Sequence, residues 1–478
     1  MAGPNTTGST YSAPNPDEIV ALDGIAVHQA VQSGDLSTVE VVEAQLAHLE
    51  NTNPSINAIT RVNPTALAEA AAVDALLRGD GSLERGGQLS LAGMVVTIKD
   101  NVDVAGQSTP NGLRHLDGAS ATIDSPMVEN LRVAGAVVLG RTNTPEYSWR
   151  WHTDNPLFGA TINPVNPELT PGGSSGGAAA ALASRIGCLA LGNDAGGSVR
   201  WPANCTGVTA LRPTIGRVPS HNALAGVERP LGIDLMAVQG PMARTIADLR
   251  AMFSAMVSPS WRDPSYVPAP LERVYQKRAG LLVNQERQHH PEINQAMDEA
   301  RLSLEQQGWT VKPIEAPDLG VAFRGWATLI NTDFHQTNRA AMLESGSSAI
   351  EMMLATFDNL APPADLGQIY ELLAIRAGQL RGWQQLLTTE VDVIVMPVAN
   401  ERAWAAADDV SSPQRLETIF EANTPLVAIN FLGLPSVAVP TRSSDRPLGV
   451  QVVAGRFAEN VALDAAAAIE RGSSEDVP

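Results

Sequence analysis

Two serines flanked by glycines, Ser174 and Ser198, lie in the stretch TPGGSSGGAAAALASRIGCLALGNDAGGSVRWPA at 170–203. Glycines beside a serine let the backbone adopt φ > 0 and turn its N–H groups toward one point, which suits a negatively charged oxygen. Acyl transfer passes through such an oxyanion, and a serine hydroxyl often acts as its nucleophile. The stretch therefore predicts acyl-transfer chemistry, provided that another residue acts as a base.

Three other interpretations apply to the first serine. The segment GGSSG at 172–176 fits the G-x-S-x-G nucleophile elbow, but that elbow directly follows a strand, and here the loop-like NPELTP precedes it. A phosphate-binding loop needs Gly-Lys-Ser/Thr after the glycines, and none follows. A glycine–serine turn without chemical role is the third. Ser198 has a clearer context, because the apolar segment LALGND at 189–194 predicts a strand that ends at its glycine turn.

The candidate base is Lys99. It follows MVVTI at 94–98, a buried strand by composition, so desolvation should lower the pKa of its ammonium group. A solvated surface lysine is the alternative. The eight histidines are scattered, and none has an orienting carboxylate close in sequence, although a triad assembled by folding stays open.

These residues need elements that position them. The segment LAGMVVTI at 91–98 predicts a strand ending at Lys99, followed by a helix from Ser125 and a strand at 134–140. A second strand–helix–strand unit is indicated at 279–314. Further strands are expected at 188–191, 391–399, 436–439 and 449–453. We expect an α/β fold, a large mixed, mostly parallel twisted β-sheet covered by helices on both faces, with ligands at the carboxyl ends of strands.

Composition narrows the function. The 478-residue chain has a formal net charge of -19 and no basic run, which argues against a nucleic-acid partner. No stretch is apolar for the ~18 residues of a membrane span, and we expect no signal peptide at the N-terminus. Cys188 and Cys205 form no Cys/His cluster, so we expect buried, reduced thiols in a cytoplasmic protein.

The ordered set of motifs resembles the amidase signature hydrolases over nearly the whole chain, and the spacing of Lys99, Ser174 and Ser198 matches that family's pattern. The segments that carry the resemblance are VVTIKDN (95–101), LRVAGAVVLGRTNTPEYS (131–148), DNPLFGATINP (154–164), TPGGSSGGAAAALAS (170–184), LGNDAGGSVRWPA (191–203), LRPTIGRV (211–218), GLPSVAVP and PLGVQVV. From the composition of the N-terminus we expect a flexible tail at 1–16, and from the amphipathic helix patterns that follow it a helical scaffold at 17–90 packed on the core. The order of strands and helices, with no long linker, predicts a single α/β catalytic domain at 91–478, with a helical insertion at about 320–390.

The resemblance implies a Ser–Ser–Lys triad without metal or cofactor. Ser198 would be the acyl-enzyme nucleophile, and Ser174, in its cis-serine role, would relay the proton to a neutral Lys99. The backbone N–H groups implied for the oxyanion hole are those of Ala195, Gly196, Gly197 and Ser198. Three positions depart from the family pattern, with Asn193 for a threonine, Ala178 for a serine and Trp201 for an aliphatic residue.

The segment WRWH at 149–152 stands where similar enzymes line the acyl pocket, beginning near Ser148. Two tryptophans there, in a chain with only 4% aromatic residues, favour a pocket for an aryl or alkyl group, with core packing as an equal alternative. The substrate-binding candidates are Ser148, Trp149, Gly173 and Asn193.

We therefore expect an amidase that hydrolyses small apolar or aromatic carboxamides or anilides with water. Carbamates, esters and hydrazides also pass through a tetrahedral oxyanion and stay open as substrates. A homodimer is one option for the assembly.

One alternative is the glutaminase subunit of a tRNA-dependent amidotransferase, which usually carries Asp-Glu-Phe where this chain has TPEY at 144–147. Such a glutaminase would need partner subunits, and the acidity of the chain argues against a role on tRNA. The other alternative is a non-catalytic binding protein on the same scaffold. Such proteins lose catalytic residues, and all three are present here.

Overall fold

The computed structural model describes residues 15–80, 88–283, 290–441 and 446–474. The helices are α1 (Pro16–Ala21), α2 (Gly24–Ser33), α3 (Thr38–Ile56), α4 (Ala66–Leu77), α5 (Pro126–Val133), α6 (Gly176–Ala183), α7 (Arg200–Thr206), α8 (Leu231–Met236), α9 (Ile246–Met256), α10 (Pro291–Gln306), α11 (Leu319–Gln336), α12 (Arg339–Ser345), α13 (Ser348–Leu360), α14 (Leu366–Thr389), α15 (Pro413–Ala422), α16 (Thr424–Leu432) and α17 (Glu459–Ser474). The strands are β1 (Ile59–Val62), β2 (Val95–Lys99), β3 (Val137–Thr142), β4 (Leu189–Asp194), β5 (Thr209–Arg212), β6 (Val238–Ala243), β7 (Arg278–Leu282), β8 (Thr310–Ile314), β9 (Val393–Pro397), β10 (Ser436–Pro440) and β11 (Gly449–Ala454).

The described strands form one sheet in the order β1-β3-β2-β4-β6-β5-β10-β11-β9-β7-β8. Both strand–helix–strand units predicted from the sequence are present, because β2 and β3 pair in parallel across α5, and β7 and β8 pair in parallel across α10. The α/β fold with a mixed sheet is therefore confirmed.

The expected predominance of parallel pairing is corrected. In the described part of the chain the parallel ladders are β2–β3, β2–β4, β7–β8 and β7–β9. The remaining six ladders are antiparallel. One physical reason is connection length: β10 ends at Pro440 and β11 begins at Gly449, and so few residues cannot make the long crossover that a parallel pair needs.

Alternating side chains place helices on both faces of the sheet. In β10, Val437 and Val439 join one buried cluster, which also contains residues of α2, α3, α9, α10 and α17. Ala438 between them joins a second cluster, which contains residues of α7, α11, α13, α15 and α16. Successive side chains of a strand point to opposite faces, so the two clusters lie on opposite sides of the sheet.

The predicted tail at 1–16 lies outside the described residues except for its last two. Asn15 caps α1 by accepting a hydrogen bond from the Glu18 N–H, and Pro16 is the first helical residue. The division into a scaffold and a single catalytic domain stays a prediction, although the predicted insertion is helical in the structure, with α11 to α14 between β8 and β9. In the ranges described, no helix is long and apolar enough to cross a membrane.

Candidate active site

Lys99 is the last residue of β2 and is fully buried. Its Nζ lies 2.7 Å from Ser174 Oγ and 2.7 Å from Asn193 Oδ1. Because β2 and β4 pair in parallel, their carboxyl ends meet at one edge of the sheet and bring Lys99 beside Asn193. Burial lowers the pKa of Lys99 well below that of an ordinary lysine, against the opposing charge of Asp194.

Ser174 lies in the turn that leads into α6. Its peptide bond with Gly173 is cis. A Cβ on residue 173 would collide with the Arg150 carbonyl oxygen, so the backbone passes through a gap that only glycine fits. Gly173, a predicted substrate contact, is not among the residues that line the neighbouring cavity, and its role here is this close passage.

Ser198 follows β4 at the end of the predicted glycine turn and is 8% exposed. The carbonyl oxygens of residues 195–198 all accept hydrogen bonds from outside the turn. Their donors, in order, are Trp326 Nε1 (2.7 Å), Trp151 Nε1 (2.8 Å), Trp201 N (2.8 Å) and Ser175 N (3.1 Å). Because the C=O and N–H of a trans peptide point in opposite directions, these bonds fix where the N–H groups of the turn point.

Three of the four N–H groups predicted for an oxyanion hole are available. Within the described ranges, the N–H groups of Ala195, Gly196 and Ser198 have no hydrogen-bond partner. The prediction for Gly197 is corrected, because its N–H donates to Asp194 Oδ1 at 2.8 Å. The Asp194 side chain accepts this bond from three residues further along the chain and so closes the turn, which leaves the Gly197 N–H engaged and not available to a ligand in the cavity.

Asp194 belongs to a buried polar network that the sequence analysis did not identify. Arg200 donates to both Asp194 oxygens at 3.0 Å, and Asn430 Nδ2 donates to Oδ1 at 2.7 Å. Arg212 donates to the Asp194 carbonyl at 2.8 Å, and Arg200 also donates to Gln451 Oε1 at 2.8 Å. The guanidinium groups lower the pKa of Asp194 against its complete burial, so the carboxylate stays charged. The sequence does carry one sign of this network, because Asp194 and Arg200 are charged residues in the segment NDAGGSVRW at 193–201, next to the predicted buried strand.

A hydrogen-bond chain leads away from the lysine. Asn193, whose Oδ1 contacts Lys99, donates through Nδ2 to Asn101 Oδ1 at 2.7 Å. Asn101 Nδ2 then donates to Ser148 Oγ at 2.9 Å, and the Ser148 hydroxyl donates to Asn111 Oδ1 at 2.6 Å. With Lys99 as a donor, this order uses the oxygen of each amide as an acceptor and its nitrogen as a donor. Asn193 Oδ1 is thus the acceptor that lies against Lys99, and its amide nitrogen is held by Asn101.

A cavity of about 220 Å³ opens beside these groups. Ser174, Asn193, Ala195, Gly196 and Ser198 form one part of its lining, and Lys99 lies behind them. Its aromatic lining residues are Tyr147, Trp149, Trp151, Trp326, Phe357 and Phe420, and its other polar lining residues include Asn101, Ser148, Asn222, Arg229 and Gln239. The cavity thus offers an apolar aromatic wall next to a hydroxyl, a lysine and free N–H groups.

The segment 149–152 contributes to both the cavity and the core. Trp149 and Trp151 line the cavity, and they also make edge contacts with Phe334 and Phe420, each with ring centroids 4.8 Å apart. Arg150 donates to both oxygens of buried Asp409, at 2.9 and 3.0 Å. These two tryptophans therefore line the cavity and pack against neighbouring rings at the same time, and their role as an acyl pocket stays a prediction.

None of the histidines that the structure describes lines this cavity. His152, the nearest in sequence to the lining tryptophans, is buried against Thr170 Oγ1 at 3.0 Å, and burial lowers its pKa. Across the ranges that the structure describes, no three His, Cys, Asp or Glu residues come together as a metal-binding group. Of the predicted site residues, Lys99, Ser174, Ser198, Ala195, Gly196, Ser148, Trp149 and Asn193 lie together here.

Comparison with known proteins agrees with this geometry. The family model described as amidase matches residues 40–463. The chain is 40% identical over 451 residues to an indoleacetamide hydrolase of Bradyrhizobium diazoefficiens, covering 92% of this chain and 84% of that protein. It is 30% identical to one subunit of the glutamyl-tRNA(Gln) amidotransferase of Thermus thermophilus, covering 94% of this chain and 96% of that one.

Solved structures agree on the fold. A bacterial aryl acylamidase of the amidase signature family superposes with a TM-score of 0.79 at 24% identity, covering 95% of this chain and 96% of that one. Fatty acid amide hydrolase superposes with a TM-score of 0.81 at 22% identity, covering 98% and 88%. The chain therefore belongs to the amidase signature family and is an enzyme that hydrolyses amide C–N bonds.

Proposed function

We propose that the protein hydrolyses small aromatic carboxamides, of the arylacetamide class, through an acyl-enzyme on Ser198. The observation that carries the proposal is the aromatic wall of the cavity, with Ser198 and the free N–H groups of its turn beside it. An aryl side chain gains burial and edge contacts against such a wall. The name of the indoleacetamide hydrolases at 40% identity supports the same substrate class.

The proposed reaction begins with proton transfer. Ser198 Oγ attacks the amide carbon while its proton passes to Ser174 Oγ, and the Ser174 proton passes to the neutral Nζ of Lys99. Burial, which lowers the lysine pKa, supports the neutral form, and the 2.7 Å distance between Nζ and Ser174 Oγ supports direct transfer. The carbonyl π electrons move to oxygen, which becomes the oxyanion.

The oxyanion would accept hydrogen bonds from the N–H groups of Ala195, Gly196 and Ser198. Such donors stabilise charge that develops in the transition state. The intermediate collapses as the C–N bond breaks, and the relay returns a proton to the departing amine, so that a primary amide releases ammonia. Water, deprotonated by the same relay, then attacks the Ser198 ester, and the carboxylic acid leaves.

Steady-state kinetics on a substrate panel tests the proposal. We expect arylacetamides to give a higher kcat/KM than aliphatic amides and glutamine, with equimolar ammonia and carboxylic acid. Anilides, esters, carbamates and hydrazides in the same panel define the leaving groups that the cavity accepts. Ser198→Ala should lose the activity and its labelling by a fluorophosphonate. Wild-type rates in Ser198→Ala, or a preference for aliphatic amides, would contradict the proposal.

The glutaminase alternative predicts hydrolysis of glutamine that rises when partner subunits are added. The arginines in the cavity lining, Arg150 and Arg229, already pair with Asp409 and Asp234, and the aromatic wall offers no charged group, so glutamine would find few free partners for its charged ends and the cavity favours the arylacetamide class.

We also propose a cytoplasmic location, which the two free, buried cysteines support. For the assembly we propose a homodimer. Light scattering would test it by measuring the mass of the protein in solution.

A further inference from the structure

We infer that Trp326, from the helical segment α11, is a positioning residue for the oxyanion hole: its indole N–H holds the Ala195 carbonyl so that the Gly196 N–H is directed at the oxyanion. The inference rests on the proposed function, in which Ser198 is the nucleophile. It assigns to Trp326 a role separate from that of its ring, which lines the cavity.

The contact between Trp326 and the turn is close and buried. Trp326 is 1% exposed, and its Nε1 donates to Ala195 O at 2.7 Å. A Cβ on Gly196 would lie 2.9 Å from Trp326 Cζ2, so the indole presses against the backbone of the turn. A carbonyl held this closely has little freedom to rotate about its peptide axis.

Peptide planarity transmits this constraint to the next N–H. The Ala195 carbonyl and the Gly196 N–H share one peptide plane, and in a trans peptide they point in opposite directions. Fixing the carbonyl on Trp326 therefore fixes the Gly196 N–H on the other side. In the described parts of the chain that N–H has no acceptor, which leaves it available to a ligand oxygen.

The next peptide shows the same device with a different outcome. Trp151 Nε1 donates to Gly196 O at 2.8 Å, and the Gly197 N–H of that peptide donates to Asp194 Oδ1 at 2.8 Å. Trp151 thus orients the Gly197 N–H, which is already bound to Asp194, whereas Trp326 orients the Gly196 N–H, which has no partner among the described residues. The two indoles differ in what they should do for the reaction, and only the loss of the Trp326 N–H should act directly on the oxyanion.

The ring of Trp326 and its N–H can be tested apart. The ring packs against Phe357 and Phe420, with centroids 5.5 and 6.2 Å away, and phenylalanine keeps part of that packing while removing the donor. A closer substitute is 3-benzothienylalanine, introduced by genetic code expansion, which has the shape of tryptophan with sulfur in place of N–H. Trp383→Phe is the matched control, because Trp383 is fully buried, lies outside the cavity lining, and its Nε1 has no partner among the described residues.

We expect both Trp326 variants to lower kcat about 10- to 100-fold on an arylacetamide while KM changes less than about threefold, because an oxyanion contact acts in the transition state. Affinity for an arylboronic acid, which forms a tetrahedral adduct with serine, should fall in parallel, and binding of the arylacetic acid product should not. Trp383→Phe should keep the wild-type kcat.

Three outcomes would overturn the inference. Wild-type kcat in the benzothienyl variant would show that the N–H is not needed, even if Trp326→Phe folds poorly. A rise in KM alone would make Trp326 only a wall of the cavity. An equal loss of kcat in Trp383→Phe would mean that loss of a buried indole anywhere in the fold lowers activity, without a specific role of Trp326. Ser198→Ala, measured alongside, separates these outcomes from failure of the proposed function, which an active Ser198→Ala would indicate.

Discussion

An amine can accept the Ser174 proton only in its neutral form, so the protonation of Lys99 governs the proposed relay at the level of single residues. Burial lowers the pKa of Lys99, and the charge of Asp194 opposes this shift. Arg200 and Arg212 surround Asp194 and offset that charge. The site therefore combines a desolvated lysine with an internally paired carboxylate, which favours a neutral amine.

The pH dependence of kcat/KM reports this lowered pKa. On an uncharged amide, activity should fall on the acid side as Lys99 becomes protonated, and reach its plateau well below pH ~10, where an ordinary lysine titrates. The measurement is kcat/KM between pH ~5 and ~10, with stability checked across the range. A profile that still rises steeply near pH ~10 would contradict it. Lys99→Met should lose about 10²- to 10⁴-fold in rate.

Asn193 stands where similar enzymes commonly carry threonine, and its Oδ1 accepts from Lys99 at 2.7 Å. Threonine supplies a hydroxyl acceptor at this position, whereas valine has nearly the same shape and none. We expect Asn193→Thr to keep most of the activity and Asn193→Val to lose about tenfold in kcat/KM, since an unpaired buried donor costs about 1–3 kcal/mol. Equal kinetics of the two variants would show that the acceptor is dispensable.

At the scale of elements, the turn between β4 and α7 is held by buried charges. Asp194 pairs with Arg200 inside the fold, and both are fully buried. Asp194→Asn would leave two guanidinium groups partly unpaired, and breaking such a pair costs about 3–5 kcal/mol. Urea unfolding should show this loss, with Lys312→Met as control. Lys312 pairs with Glu390 at 2.9 Å while both are nearly half exposed, so its loss should cost under about 1 kcal/mol. If Asp194→Asn and Lys312→Met lowered the free energy of unfolding equally, burial would not be what makes the Asp194–Arg200 pair important.

The elements that the sequence predicts are those with a clear local pattern. Apolar runs and capped helices identify β2, α5, β3, β7, α10 and β8. The strand β6, VQGPMA, is not predicted, because Gly240 and Pro241 normally interrupt strands. The sheet accommodates Pro241 there, because β5 pairs with β6 only at residues 242 and 243 and Pro241 has its strand neighbour in β4 alone. The four-residue strand β1 has no clear local pattern either, and it forms by pairing with β3.

The predictable part of the site is local as well. Lys99, Ser174 and Ser198 follow from glycine turns, an apolar strand and the family resemblance. Trp326, Asn430 and Gln451 reach Asp194, Ala195 or Arg200 from distant elements, across at least 131 positions of sequence. No local periodicity marks a residue whose role is defined by one long-range hydrogen bond, and only the fold reveals it.

At the scale of the whole molecule, one hydrophobic cluster connects the two ends of the described chain. It contains Ile19 of α1, the strands β2 and β3, and Ile469 of α17. Polar contacts reinforce this link, because Asp248 of α9 accepts hydrogen bonds from the Gly24 and Ile25 N–H groups at the start of α2, at 2.9 and 2.7 Å. The N-terminal helices should therefore share the stability of the sheet rather than unfold by themselves.

Urea unfolding followed by two probes tests this coupling. All eight tryptophans lie at position 149 or later, so fluorescence reports the region beyond the N-terminal helices, whereas far-UV circular dichroism also includes α1 to α4. We expect the two transitions to coincide. Asp248→Ala removes the cap of α2, at a cost of about 1–2 kcal/mol, and should lower both midpoints together. Loss of helical signal before any change in fluorescence would instead mean that the N-terminal helices form a separate cooperative unit, because only the dichroism detects them.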